Sequence, residues 1–101
     1  MINVYISGYA DLNDPENRKL FYDKKAELHA KGYNAIVPHE ICLGAEKDAD
    51  KCQRLKLRKL RECNAYYRLK ESLFKVGKEY DPDNELELST AWELGLQEIT
   101  D

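Results

Sequence analysis

Short apolar runs and helically spaced apolar positions alternate along the chain. Ile2–Ile6 is a continuous run of β-branched and aromatic residues that ends at Ser7-Gly8, which predicts a short buried strand. Tyr33–Val37 is a second such run, and Pro38 closes it because proline cannot donate to a sheet ladder. Asn64–Leu69 predicts a third strand.

Two helices are predicted between these strands. The first begins at Asp14-Pro15-Glu16, where Asp14 can cap the helix and proline fits its first position. It runs to about Lys31, and Gly32 provides a left-handed stop. The second covers Lys51–Cys63, because apolar residues recur there at near-helical spacing, at positions 52, 55, 60 and 63.

The remaining segments are more polar. Residues 39–50 predict a loop, or a short helix near Ala45–Ala49. Lys70–Leu86 contains a strong turn signal at residues 81–84, and a short strand could form at Leu73–Val76. A last helix is predicted from Ser89 or Thr90 to about Ile99.

This alternation predicts an α/β fold: a small flavodoxin-like or Rossmann-like parallel sheet of three to five strands, with helices on both faces. A length of 101 residues corresponds to one domain, residues 1–101. No apolar run approaches the roughly 18 residues of a membrane span, and no secretory signal is evident. A cytoplasmic protein is therefore expected.

Ligands of such sheets bind beyond the carboxyl ends of the strands. The segments predicted to meet at this rim are the start of the last helix, the residues after Leu69, Ser7-Gly8-Tyr9 and Pro38-His39. Gly8 would let the backbone approach a ligand, and Ser7 offers a hydroxyl, but the motif alone favours a plain strand-to-loop turn. The single glycine is not a dinucleotide-binding fingerprint.

Charge is distributed unevenly along the chain. The net charge of −3 argues against a general nucleic-acid binder. Residues 51–75 nevertheless contain nine basic and two acidic residues, whereas residues 76–101 contain one basic and eight acidic residues. The basic run at positions 54, 56, 58, 59 and 61 could recognise a phosphate group, but a solvated helix face is the favoured interpretation.

Three cysteines are present, Cys42, Cys52 and Cys63. An odd number without a secretory signal predicts reduced thiols in a cytosolic protein. Cys52 and Cys63 are interpreted as small buried apolar residues. His39 and Cys42 are three residues apart, but no second ligand pair accompanies them, so no metal site is predicted.

Glu87–Gly95 is the most informative segment for chemistry. Glu93 is predicted in the first turn of the last helix, where a carboxylate could attack a sugar anomeric carbon. Glu87 could reach the same pocket, since retaining glycosyl chemistry uses two carboxyl groups about 5–5.5 Å apart. Thr90-x-x-Glu93 is also a capping box, and the residues alone favour that structural role.

Several of these segments together resemble the nucleoside 2-deoxyribosyltransferase-like superfamily, most of all its short branch of uncharacterised phage and prophage proteins. The strands match in Val4-Tyr5-Ile6-Ser7-Gly8, Ala35-Ile36-Val37-Pro38 and Cys63-Asn64-Ala65. The superfamily motif Gly-Thr-Ala-x-Glu-Leu-Gly is matched by Ser89–Gly95, with serine in place of the first glycine. The resemblance spans nearly the whole chain.

The resemblance implies roles for particular residues. Glu93 takes the place of the nucleophilic glutamate, which forms a covalent ester with the sugar, and Tyr5 takes the place of the tyrosine that orients it. Glu87 falls where an acidic residue contacts and protonates the base. Asn64 falls where active members have an aspartate at the nucleobase or sugar. Ser89 and Thr90, at the turn into the helix, would bind substrate.

The implied function is an N-glycosyl transferase or hydrolase acting on 2′-deoxynucleosides or deoxynucleoside monophosphates through a covalent glutamyl–sugar intermediate. It requires neither a metal nor an organic cofactor. Asn64 in place of aspartate favours the alternative, a non-catalytic nucleotide-binding module. A small nucleoside or nucleotide ligand and a homo-oligomer are expected, because a small sheet leaves unprotected edges, with no membrane or nucleic acid as partner.

Overall fold

A single parallel sheet organises the fold. The structure, a computed structural model, describes residues 1–101. Its four strands are β1 (Asn3–Ser7), β2 (Asn34–Ile36), β3 (Ala65–Arg68) and β4 (Gln97–Ile99). They pair in the order β2-β1-β3-β4, with Tyr5 opposite Ile36 on one side and Tyr66 on the other. The predicted flavodoxin-like α/β fold is confirmed.

Helices cover both faces of the sheet. The long ones are α1 (Pro15–Ala30), α3 (Ala49–Arg61) and α5 (Pro82–Glu93), and the short ones are α2 (Pro38–Ile41) and α4 (Glu71–Phe74). None of them combines the length and apolar character needed to cross a membrane.

The core has one layer on each face of the sheet, because side chains alternate along β1. Val4 and Ile6 pack with Phe21 of α1 on one face. Tyr5 packs with Leu60 of α3 and Ala91 of α5 on the other face, where Ser7 also points toward α5. β1 therefore places one tyrosine and one serine beneath α3 and α5.

The first helix begins as the sequence predicts. Asp14 is the N-cap, and its Oδ1 accepts a hydrogen bond of 3.0 Å from the Glu16 amide, while Pro15 occupies the first helical position. The helix ends before Gly32, whose φ of 94° lies in the left-handed region that glycine adopts without strain.

The prediction for the last helix is wrong. Helix α5 begins at Pro82, with Asp81 as its N-cap, and it ends at Glu93, near the residues where the helix was expected to begin. Asp81-Pro82 is the same start signal as Asp14-Pro15, although the sequence predicts a turn at residues 81–84. Gly95, with a φ of 73°, ends the helix, and the next residues form β4 instead of continuing it.

Two short segments also differ from the prediction. The short helix expected near Ala45–Ala49 lies at Pro38–Ile41, because Pro38 both closes β2 and starts α2. The short strand considered at Leu73–Val76 is replaced by α4, Glu71–Phe74.

The expected reduced state of the cysteines is contradicted for two of them. Cys42, just after α2, forms a disulfide with Cys52 in α3. The predicted helix and loop boundaries did not bring these residues together, since the pairing depends on how α2 folds back on α3. Cys63 is free and buried, as predicted, with its Sγ 3.3 Å from the carbonyl oxygen of Lys59.

Candidate functional site

The candidate site lies at the carboxyl ends of β1 and β3, where the order of the strands along the sheet reverses. Such a switch point is the usual ligand position in open parallel sheets. Three elements meet there on one face: the end of β1, the middle of α3 and the first two turns of α5. They contribute Ser7, Lys56 and Glu87.

Glu87 is the centre of this cluster. Its carboxylate is 1% exposed and lies between β1 and α3. Oε1 lies 3.3 Å from the Ser7 hydroxyl, and Oε2 lies 3.3 Å from Lys56 Nζ. The hydroxyl of Tyr5, two residues before Ser7 on the same face, is fully buried beside it and makes no hydrogen bond.

Burial dominates the electrostatics of the site. It raises the pKa of Glu87 above the ordinary value of 4.5, while the charge of Lys56 acts in the opposite direction. Burial also raises the pKa of Tyr5, and the nearby Glu87 charge raises it further. Tyr5 therefore remains a neutral phenol that can donate a hydrogen bond to a carboxylate oxygen.

Asn84 completes the polar cluster from the first turn of α5. Its Oδ1 lies 2.7 Å from Ser7 Oγ, and the side chain is buried. The backbone amide of Asn84 donates a hydrogen bond of 3.2 Å to the N-cap carboxylate of Asp81, which fixes the start of the helix. The end of β1 and the start of α5 are thus joined by a hydroxyl–amide contact.

A cavity of about 270 Å³ opens beside this cluster. Its walls are the loop Tyr9–Asn13 after β1, the residues around the start of α3, and Asp83 in the first turn of α5. Lys56 lines the cavity, whereas Glu87 does not. Lys56 is therefore the residue that both lines the cavity and contacts the Glu87 carboxylate.

Of the predicted rim residues, Tyr9 lines the cavity and Ser7 lies in the polar cluster behind it. Pro38 and His39 also follow a strand end, but both are buried. The His39 ring packs 5.0 Å from that of Phe21, and its Nε2 lies 3.0 Å from Asn17 Oδ1. His39 therefore helps to hold the loop Tyr9–Asn13 in place and is not exposed at the rim of the sheet.

Asn17 connects His39 to the loop Tyr9–Asn13, which forms one wall of the cavity. Its Nδ2 donates to the Tyr9 carbonyl oxygen over 2.8 Å, and its Oδ1 accepts from the Asp11 amide over 2.9 Å. Burial, and then the charge of Arg18, lower the pKa of His39, so its neutral form is favoured. A neutral His39 can donate its Nε2 proton to Asn17.

The role expected for Gly8 also changes. A Cβ atom at this position would lie 2.6 Å from Ser72 Oγ and 3.0 Å from the Leu69 carbonyl oxygen. The close approach that requires glycine is therefore to the segment after β3, within the protein. Ser72 Oγ in turn accepts a hydrogen bond of 2.8 Å from the Tyr9 amide.

Four predicted site residues lie elsewhere. Glu93 is exposed in the last turn of α5, while Glu87 lies nearly two turns earlier on the buried face. Ser89 lies on the outer side of the same helix, and Thr90 bonds back to the Leu86 carbonyl over 2.8 Å, so the capping box does not form. The cause is the displaced helix start, which moves these residues away from the carboxyl edge of the sheet.

Asn64 is the fourth. It precedes β3 at the amino edge of the sheet, where its Oδ1 accepts a hydrogen bond of 2.9 Å from the Asn3 amide. It is exposed and lies at the opposite end of the strand from the cavity.

Lys56 and Asn84 belong to the polar cluster but are not among the residues predicted for the site. Lys56 was assigned to a solvated basic face, yet it lies four residues after Cys52 and four before Leu60, which are both buried. That i, i+4 spacing is the signal that could have found it. Asn84 was assigned to a turn, and only the helix start at Asp81-Pro82 reveals its inward position.

A cavity of about 410 Å³ lies between β3 and the outer side of α5, and two predicted site residues, Ser89 and Glu93, line it. A larger cavity of about 510 Å³ lies beside the edge strand β2, and its lining includes the ion pair between Lys25 and Glu40. None of the predicted site residues lines it. No group of three or more His, Cys, Asp or Glu side chains is placed to hold a metal ion.

Comparison with known proteins supports the fold. A scan against protein-family models finds no match, and a search of curated proteins finds none. Among solved structures, the chain is similar to the CMP N-glycosidase BcmB of Clostridium botulinum, at 17% sequence identity and a TM-score of 0.62. The similarity covers 95% of this chain and 67% of that chain. At this level of identity, the similarity shows a shared fold.

Proposed function

We propose that the chain is an N-glycosyl transferase or hydrolase of the nucleoside 2-deoxyribosyltransferase-like superfamily, acting on 2′-deoxynucleosides or their monophosphates. The observation that carries this proposal is the buried Glu87 carboxylate beside Tyr5 and Ser7, next to an open cavity. The shared fold with a CMP N-glycosidase supports it. Membership of the phage and prophage branch, and a cytoplasmic location, stay predictions.

Glu87 replaces Glu93 as the proposed nucleophile. The superfamily pairs its nucleophilic glutamate with the tyrosine of the first strand, and the carboxylate beside Tyr5 is that of Glu87. The chain contains two Glu-Leu-small tripeptides six residues apart, Glu87-Leu88-Ser89 and Glu93-Leu94-Gly95. The Glu-Leu-small part of the motif fits either tripeptide, whereas its Thr-Ala part precedes only the later one. The geometry favours the earlier tripeptide, because its carboxylate lies beside Tyr5.

The proposed reaction has two steps. A Glu87 carboxylate oxygen forms a bond to C1′ of the sugar as the bond between C1′ and the base nitrogen breaks, and that electron pair leaves with the base. The base takes a proton from water or from a carboxyl group of the cavity wall. Water or a second base then attacks C1′ and releases the carboxylate, which makes the enzyme a hydrolase or a transferase.

Lys56 must move in this mechanism. Its ammonium group favours the ionised form of Glu87, which nucleophilic attack requires, and so opposes the larger effect of burial on the pKa of this carboxyl. Lys56 lines the cavity and Glu87 does not, so we expect the sugar to reach Glu87 only after the Lys56 side chain moves aside. The long, flexible lysine side chain permits such a movement.

The second candidate function is a nucleoside-binding or nucleotide-binding module without turnover. The observation that favours it is the Lys56–Glu87 ion pair itself, with side chains 10% and 1% exposed. If Lys56 stays in place, Glu87 is a structural partner of α3 and the cavity binds its ligand without reaction.

Chromatography of reaction mixtures separates the two functions. The purified protein is incubated with a panel of nucleosides and nucleoside monophosphates, each with and without a free acceptor base. We expect release or exchange of the base, abolished in Glu87→Gln, which preserves side-chain shape. Glu93→Gln is the matched control, because it makes the same change on the exposed face of the same helix, and it should retain activity.

The outcomes are distinct. Full activity of Glu87→Gln, or loss of activity in Glu93→Gln, contradicts the proposed assignment. Absence of turnover in every sample, with ligand binding retained, favours the binding module. Glu87→Gln loses the ion pair with Lys56 and is expected to be less stable than the wild type. Matching circular dichroism spectra of the two proteins at the assay temperature would therefore show that any loss of activity is not a loss of folding.

A further inference from the structure

The charge of the cavity bears on which substrate it accepts. Three carboxylates line it: Asp11 on the loop after β1, Glu46 before α3, and Asp83 in the first turn of α5. Its one basic lining residue is Lys56, which is paired with Glu87. Beside the cavity, Lys78 lies over the Tyr9 ring at 4.5 Å from its centroid. No arginine lines the cavity and its one lysine is already paired, so a phosphate group would find carboxylates as its main neighbours.

The two long helices that begin at this cavity do not offer an anion site either. The N–H groups of a helix N-terminus ordinarily attract phosphate. In α5 the carboxylate of Asp81 already accepts from the Asn84 amide over 3.2 Å, and Pro82 has no N–H. In α3 the carboxylate of Asp48 accepts from the Lys51 amide over 3.0 Å. Each helix start is thus occupied by a carboxylate of the protein itself.

We infer that the site takes a nucleoside with a free 5′-hydroxyl group and rejects nucleoside 5′-monophosphates. This inference rests on the proposed function, and it narrows the substrate class that the sequence left open. A free hydroxyl suits this wall, because Asp11 and Asp83 are hydrogen-bond acceptors for sugar hydroxyls. A phosphate in the same place would bring about two negative charges against three carboxylates in a partly desolvated cavity.

The test compares each nucleoside with its own 5′-monophosphate. Base release is measured by chromatography, and binding is measured by titration calorimetry on Glu87→Gln, which cannot complete the reaction. We expect kcat/KM, and the association constant, to favour the nucleoside at least tenfold. Replacing Asp83 with asparagine removes one cavity charge without changing side-chain size, and it should reduce this preference severalfold. Glu85→Gln is a matched control, because Glu85 is on the same helix but does not line this cavity, and it should leave the preference unchanged.

The results separate failure of the inference from failure of the proposed function. Turnover or binding that favours the monophosphate, or that treats the two forms equally, overturns the inference while the glycosyl chemistry stands. Preferential binding of nucleosides without turnover leaves the inference intact and removes the enzymatic function. If neither form binds at millimolar concentration, both are overturned. Activity of Asp83→Asn toward the monophosphate at or below that of the wild type would also contradict the charge argument.

Discussion

Lys56 Nζ lies 3.3 Å from Glu87 Oε2, and the two side chains are 10% and 1% exposed. This contact joins the basic segment of the chain to its acidic segment inside the protein. Burial favours the neutral form of the Glu87 carboxyl by raising its pKa, and the charge of Lys56 opposes that effect. The pair affects both the stability of the fold and the proposed reaction, because the Glu87 carboxylate must separate from Lys56 before it can attack the sugar.

Removing one partner of this pair should be strongly destabilising. We expect Lys56→Met to lower the free energy of unfolding by about 3–5 kcal/mol at neutral pH, since the buried Glu87 carboxyl loses its cationic partner. Urea denaturation measures the change. Arg54→Met, which removes the exposed ion pair with Asp50 on the same helix, should cost less than about 1 kcal/mol. Equal effects of the two substitutions would show that the Lys56–Glu87 contact does not stabilise the fold.

The raised pKa of Glu87 predicts a pH dependence of stability. As the pH rises above 4.5, the unfolded chain loses this proton first, while the folded chain still holds it. The contribution of Glu87 to the free energy of unfolding should therefore fall from pH 4.5 upward, until the folded group has also ionised. The difference in the free energy of unfolding between the wild type and Glu87→Gln, measured by urea denaturation from pH 4.5 to 7.5, gives this contribution. A contribution that grows with pH would mean that the charge of Lys56 affects the pKa of Glu87 more than burial does.

His39 should make the protein less stable at low pH, which is opposite to the effect expected for Glu87. Its pKa is lowered from 6.5 by burial and by the charge of Arg18, so on acidification the unfolded chain binds a proton before the folded chain does. The free energy of unfolding should fall as the pH drops below 6.5, and His39→Gln should reduce that slope. Denaturation at pH 7.5 and pH 5.5 provides the comparison. An unchanged slope in the variant would refute this origin of acid sensitivity.

The Cys42–Cys52 disulfide predicts one free thiol per chain. Thiol titration in denaturant without reductant should detect Cys63 alone. The bond closes a loop with a sequence separation of 10, so Cys42→Ala together with Cys52→Ala should lower the free energy of unfolding by roughly 2–3 kcal/mol. Three reactive thiols per denatured chain would instead show that all three cysteines are reduced, as the sequence predicts.

Self-association remains a prediction. Edge strands β2 and β4 are unpaired on their outer sides, and the side chain of Trp92 is 78% exposed. Light scattering at micromolar concentration should give at least twice the mass of one chain. Because Trp92 is the only tryptophan, its fluorescence reports whether association covers α5. The mass of a single chain across the micromolar range would rule out a homo-oligomer under these conditions.

Local chemistry in the sequence determined much of the fold. The apolar run that forms β1 and the start of α1 at Asp14-Pro15 were predictable, because a buried strand and a helix cap each depend on a few neighbouring residues. The parallel sheet followed from the alternation of strands and helices. The start of α5 was predictable in principle, since Asp81-Pro82 repeats the signal of Asp14-Pro15.

The site was decided by the tertiary structure. Glu87 and Glu93 belong to near-identical tripeptides, and only the position of α5 on the sheet determines which carboxylate lies beside Tyr5. Lys56 looks like a surface residue until α3 and α5 pack over β1 and enclose it. Burial, pairing and pKa depend on contacts between residues far apart in the chain, whereas a sequence pattern records only residues that are close along it.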